Sequence, residues 1–114
     1  MRRGEIWWCN LDPTVGAEQK KQRPFIIVND DAVGVLPLKV IVPLTDWKDH
    51  YSVAAWMVRI DPTPTNGLQK TSAADCFQVR SVSQQRLVQR FGRINDAQIE
   101  QIGVSLKTVL ALHR

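Results

Sequence analysis

A chain of 114 residues with a hydrophobic share of 44% and a charged share of 23% has the composition of one packed domain and not of a disordered segment. No apolar run approaches the ~20 residues of a bilayer span, and the residues after Met1-Arg2-Arg3-Gly4 lack the apolar stretch of a signal peptide, so a cytoplasmic protein is expected. The formal net charge of +4 favours a polyanionic partner through counterion release, and a domain this small offers shallow grooves more readily than deep pockets.

Arg3 to Leu11 (RGEIWWCNL) is rich in Ile and Trp and stops at Asp12-Pro13, which predicts a strand ending in a turn. Trp7 and Trp8 are adjacent on it and must point to opposite faces, so both cannot be core. Asp12 to Gln22 is a long polar loop of the kind that carries function on a small sheet. Phe25 to Asn29 (FIIVN) and Lys39 to Thr45 (KVIVPLT) predict two more strands. Pro43 cannot donate to a ladder, so its strand needs an edge or a bulge there. Ala54 to Ile60 is a fourth strand, and Asp61-Pro62-Thr63-Pro64-Thr65-Asn66-Gly67 a surface turn. Ala73 to Val82 completes the set as a single strand.

The last third reads as helical. Ser83 is placed to cap a short helix through about Arg90, ended by Gly92, with Arg93-Ile94 as a brief strand. Asn95 and Gln98 have the spacing of a capping box. Beyond them Ile99, Ile102, Gly103, Leu106, Val109 and Leu110 recur at the spacing of an amphipathic helix. The expected fold is mainly β with a C-terminal helix, one strongly curved sheet or small barrel in a single domain over residues 1–114.

Common catalytic patterns are absent: there is no P-loop, GxSxG, HExxH or GxGxxG. Cys9 and Cys76 have no CxxC partner or nearby His, so reduced buried thiols are expected in place of a zinc site. The carboxylates are scattered singly, and no metal or cofactor is expected. His50 sits in the loop from Asp46 to Tyr51 and His113 near the C-terminus, so the two do not form an acid–base pair.

The order of short motifs supplies what composition does not. Arg3-Gly4-Glu5-Ile6-Trp7-Trp8, then Asp12-Pro13-Thr14-Val15-Gly16-Ala17-Glu18-Gln19, then Gln22-Arg23-Pro24 and Ile41-Val42-Pro43-Leu44-Thr45 follow one another along the chain. Asn66-Gly67-Leu68 and Gln78-Val79-Arg80-Ser81-Val82, with Ser83 and Arg86-Leu87, come later. This succession resembles the MazF/PemK toxin family. The resemblance implies an SH3-like β-barrel of the CcdB/PemK type, a homodimer, metal-independent cleavage of single-stranded RNA, and neutralisation by an acidic antitoxin. It also implies catalytic roles for Arg23 and Thr45.

Those residue types suit the chemistry. RNA carries its own nucleophile, the 2′-OH, and a planar guanidinium suits the extra negative charge of a phosphorane. A Thr hydroxyl can add a hydrogen bond to a phosphate oxygen. Arg is a poor base, its pKa lying above ~12, so Glu18 is a candidate general base; pairing with Arg23 to hold the loop is the competing role. Gln19, Lys20, Lys21, Gln78 and Arg80 are candidate RNA contacts, and Trp47 a candidate stacking surface. Some PemK-like members carry an acid directly before the Gln of the fifth strand; here that residue is Phe77, and strand alternation would put Asp75 with Phe77 and Cys76 with Gln78. A non-catalytic, gyrase-binding toxin on the same fold is the alternative, as is a decayed interaction module.

Overall fold

The computed structural model describes residues 1–11, 22–34 and 37–112. The expectations for Glu18, Gln19, Lys20, Lys21 and His113 fall outside these residues.

Three apolar strands make the centre of an antiparallel sheet: β1 (Glu5–Asn10), β2 (Gln22–Ile27) and β3 (Leu38–Asp46). Their near-continuous hydrophobic runs are explained by burial on both faces. Phe25, Ile27 and Ile41 pack on one side with Cys9, Val82 and Leu87. Ile26, Val42 and Leu44 pack on the other with Ile6, Ile60 and Ile102. Around this centre lie β4 (Met57–Ile60), β5 (Ser72–Asp75), β6 (Arg80–Ser83) and β7 (Leu87–Arg93), in the order β4-β5-β3-β2-β1-β7, with β6 also paired to β3.

Strand β3 changes partner partway along. Up to Ile41 it pairs with β6, and from Leu44 onward with β5. Between them, Val42 and Pro43 face a longer stretch, within which Cys76–Gln78 coil into a single 3-10 turn. The proline therefore sits at an irregularity that demands no N–H from it on that side, as a bulge reading requires. The run Ala73 to Val82 is consequently two strands and not one. Its alternation fails at the turn: the Asp75 carboxylate accepts from the Phe77 N–H at 3.2 Å and from Gln78 Nε2 at 2.7 Å. Asp75 and Gln78 are partners, contrary to the sequence expectation, because a short Asp side chain bonds local backbone in preference to extending the ladder.

The helix expected after Ser83 is also replaced. Ser83 Oγ accepts from the Gln85 N–H at 3.4 Å, but the turn it caps is only Gln84–Arg86, and β7 follows. Leu87 and Phe91, four apart, would share a helix face. Instead Leu87 joins one cluster and Phe91 packs against the other, across a β1–β7 ladder with two register shifts. Gly92 lies inside this strand and does not end a helix.

The barrel is open in its ladder: β4 and β7, at the two ends of the order, do not pair. The segment 61–67 crosses the gap. Asn66, fully buried, organises it by accepting from the Thr63 and Leu68 N–H groups at 3.1 and 3.0 Å and donating to the Asp61 carbonyl at 2.8 Å. The Arg93 N–H donates to the Thr65 carbonyl at 2.9 Å, tying the segment to β7. Here backbone lies on backbone. A Cβ on Gly92 would collide with the Thr65 carbonyl, and one on Gly67, whose φ is +74°, with that of Phe91.

Helix α1 (Asp96–Leu110) begins with the expected capping box: Gln98 N–H donates to Asn95 Oδ1 at 2.8 Å and Asn95 N–H to Gln98 Oε1 at 3.2 Å. Ile102 is buried, and Ile99, Leu106 and Val109 pack on the cluster of Ile26, Val42 and Leu44, whereas Leu110, expected in that stripe, is exposed.

Candidate nucleic-acid interface

The β2–β3 ladder ends at Phe25 opposite Pro43. Two residues further on each strand come Arg23 and Thr45, so both leave the same end of that ladder. On its other side Arg23 pairs with Cys9 of β1. Two hollows meet at the Arg23-Pro24 step. Arg23 lines a depression of about 120 Å³ with Leu11, Phe25, Pro43, Gln78 and Arg80. Thr45 and Pro24 line a neighbouring cleft of about 340 Å³ whose walls include Trp8, Phe91, Gly67 and Leu68. Trp8 and Phe91 meet edge to face, their centroids 5.1 Å apart.

The depression is electropositive. Arg23 and Arg80 line it, and among the described residues neither guanidinium has a carboxylate ion-pair partner. Arg86, from the short turn before β7, donates through Nη1 to the Asn10 carbonyl at 3.3 Å. Burial pushes the Cys9 thiol up from its ordinary value, while the positive charges of Arg80 and Arg86 pull it down. Both cations therefore act on the strand that carries Arg23's neighbour. Arg86, which the sequence offered only as part of the Arg86-Leu87 motif, does not itself line either hollow.

Of the sequence candidates that are described, Arg23, Gln78 and Arg80 come together in one depression, with Thr45 in the adjoining cleft. Trp47 lies two residues beyond Thr45. The Arg59 guanidinium covers its ring at 5.6 Å and Tyr51 abuts it edge-on at 5.8 Å. Exposed His50 lies against Tyr51, at 4.7 Å between centroids. Among the described residues no three His, Cys, Asp or Glu side chains converge as a metal site would require, and no helix is long and apolar enough to cross a membrane. Cys9 and Cys76 are buried free thiols.

Residues 2–110 match the family model of the PemK-like, MazF-like toxin of type II toxin–antitoxin systems. The chain belongs to that family. Endoribonuclease MazF9 of Mycobacterium tuberculosis is 35% identical over 118 residues, covering 98% of this chain and 98% of its own length. Endoribonuclease PemK of Escherichia coli is 34% identical over 112 residues, covering 96% of this chain and 82% of its own length. The PemK-like, MazF-like fold is shared with solved structures at much lower identity. An endoribonuclease in complex with its cognate antitoxin, from a mycobacterial species, superposes with a TM-score of 0.78 at 20% identity, covering 100% of this chain and 98% of that one. A MazE–MazF structure from Deinococcus radiodurans gives 0.78 at 21% identity, covering 98% and 96%.

Proposed function

We propose that this chain is a sequence-selective endoribonuclease toxin that cleaves single-stranded mRNA without a metal ion and is neutralised by a cognate antitoxin. The observation that carries the reading is the meeting of Arg23, Arg80 and Gln78 in one depression, beside the cleft lined by Thr45, in a member of this family. The 2′-oxygen attacks the adjacent phosphorus, the P–O5′ bond breaks, and the products are a 2′,3′-cyclic phosphate and a 5′-hydroxyl. Arg23 stabilises the charge that accumulates on the phosphorane oxygens, and the Thr45 hydroxyl donates to one of them. Glu18, as a carboxylate, takes the 2′ proton, and the departing 5′ oxygen takes one from water. Arg80, Lys20 and Lys21 hold flanking phosphates, Gln19 and Gln78 contact bases, and Trp47 supplies a stacking face once Arg59 swings away.

A cytoplasmic homodimer completes the reading. Its support is apolar surface left exposed: Trp56 and Phe77 stand edge to face at 6.2 Å, with Val53 open to solvent nearby in sequence. An acidic antitoxin segment suits the net charge of +4.

The test is incubation of a long single-stranded RNA with the protein in excess EDTA, followed by end-group analysis. Discrete cuts with 5′-hydroxyl ends are expected. Arg23→Ala should lower the rate by on the order of 10²–10³ while RNA binding persists, as for loss of one donor to a developing oxyanion. Glu18→Gln should lose cleavage and keep binding. A requirement for magnesium, or full activity in Arg23→Ala, would overturn the mechanism.

A further inference from the structure

The depression beside Arg23 holds one detail the phosphate chemistry does not use. Its polar lining side chains among the described residues are Arg23, Arg80 and Gln78, and guanidiniums can only donate. Gln78 is therefore the one lining side chain there with an acceptor to offer. Its amide is not free to choose a direction. Nε2 donates to Asp75 Oδ2 at 2.7 Å, and an ionised carboxylate only accepts, so the amide nitrogen is turned toward Asp75 and Oε1 away from it. Asp75 is itself fixed. It is 8% exposed, pairs with Met57 across the β4–β5 ladder, and accepts the Phe77 N–H on Oδ1 at 3.2 Å. It lies behind Gln78 and does not line the depression.

We infer that Asp75 is a specificity-setting positioning residue: it locks the Gln78 amide so that a single acceptor oxygen faces the RNA and selects adenine or cytosine, whose 6- or 4-position bears an amino group. This rests on the ribonuclease reading above. Guanidiniums on either side engage phosphates whatever the sequence, and phosphate contacts carry no base information. A fixed acceptor does. Adenine and cytosine present an amino donor where guanine and uracil present a keto oxygen, and a keto oxygen would face Oε1 with no proton between them.

Asp75→Asn tests this with little change of shape. Asn keeps an oxygen for the Phe77 N–H and puts an NH₂ where Oδ2 was. The Gln78 amide then turns over and presents its own NH₂ to the RNA. The full chain, its Asp75→Asn and Gln78→Ala variants and an Arg23→Ala control are each given an RNA pool randomised in sequence, and cut sites are read by end sequencing. The wild type should prefer A or C over G or U at one position of the cut motif by about tenfold, the scale of one good base contact. Asp75→Asn should move that ratio toward G and U by about tenfold, with the other positions unchanged. Gln78→Ala should erase it. If Asp75 only caps its turn, its substitution lowers stability or rate and leaves the preference within twofold, and the inference fails. An unaltered preference in Gln78→Ala overturns it equally, even if Asp75→Asn does not fold. Absence of any cut by the wild type sinks the ribonuclease reading itself, a different and recognisable result.

Discussion

Asn66→Ala should cost about 2–3 kcal/mol, although the residue touches no proposed catalytic group. The side chain is fully buried and makes three hydrogen bonds, to the Thr63 and Leu68 N–H groups and the Asp61 carbonyl. Each such bond is worth about 1 kcal/mol net, and a buried group left without a partner costs about 1–3 kcal/mol. The Asp61 carbonyl belongs to an exposed residue and regains water; the two N–H groups belong to half-buried residues and recover less. For a domain whose whole stability is of order 5–15 kcal/mol, the loss should lower Tm by about 10 °C. Urea unfolding followed by tryptophan fluorescence measures it, as a lower midpoint at unchanged slope. Asn66→Asp is the sharper control. It keeps an acceptor for the two N–H groups but sets a carboxylate oxygen against the Asp61 carbonyl, and should be at least as destabilising as alanine. A loss below about 0.5 kcal/mol in the alanine variant, or full stability in the aspartate one, would refute the assignment of these bonds to the 61–67 segment.

Glu5 gives a pH prediction. Burial alone would raise its carboxyl, but the Trp7 indole, the Arg2 backbone N–H, the N-terminal ammonium and Arg90 outweigh it and hold the group below its ordinary value. A depressed carboxyl contributes stability above the unfolded value near 4.3 and loses it as pH falls through the folded one. Glu5→Gln should thus be less stable than wild type at pH 7, with the gap narrowing below about pH 4; a gap independent of pH would contradict this. Burial raises both thiols, Cys9 against the pull of Arg80 and Arg86, and Cys76 against the Ser105 hydrogen bond with Asp75 adding to the rise. Iodoacetamide at pH 7.5 should leave both unmodified by mass spectrometry in the folded protein and alkylate both in urea. Rapid native alkylation of Cys9 would show that its face is open.

The central strands, the helix and its cap were legible in the sequence because local signals agreed with their burial. FIIVN and KVIVPLT are apolar without alternation, and both faces of β2 and β3 are covered. Asn95 and Gln98 bond each other within one turn, with no help from distant residues. The segment from Ala73 to Arg93 was misread because its form is decided elsewhere. The gap in β3 at Val42-Pro43 makes room for the Cys76–Gln78 turn, and pairing with β1 makes a strand of Leu87–Arg93. No window of the sequence contains those partners. The motifs carrying Arg23, Thr45, Gln78 and Arg80 were visible, but the pairing of Asp75 with Gln78 was hidden by the assumption of strand alternation.

The two glycines that let the 61–67 segment lie on β7 also govern how the cleft can respond to a guest. Gly67 and Leu68 form part of one wall, Phe91 another, and between them there is no compressible side chain. A ligand that wedges the cleft wider must carry Phe91 and Gly92 along with the segment or break the Arg93–Thr65 bond. One residue past that bond, the Ile94 N–H donates to the Gly4 carbonyl just ahead of helix α1. A swelling that parts the segment from β7 is therefore transmitted as a shear of the chain entering the helix, because main chain joins the two there.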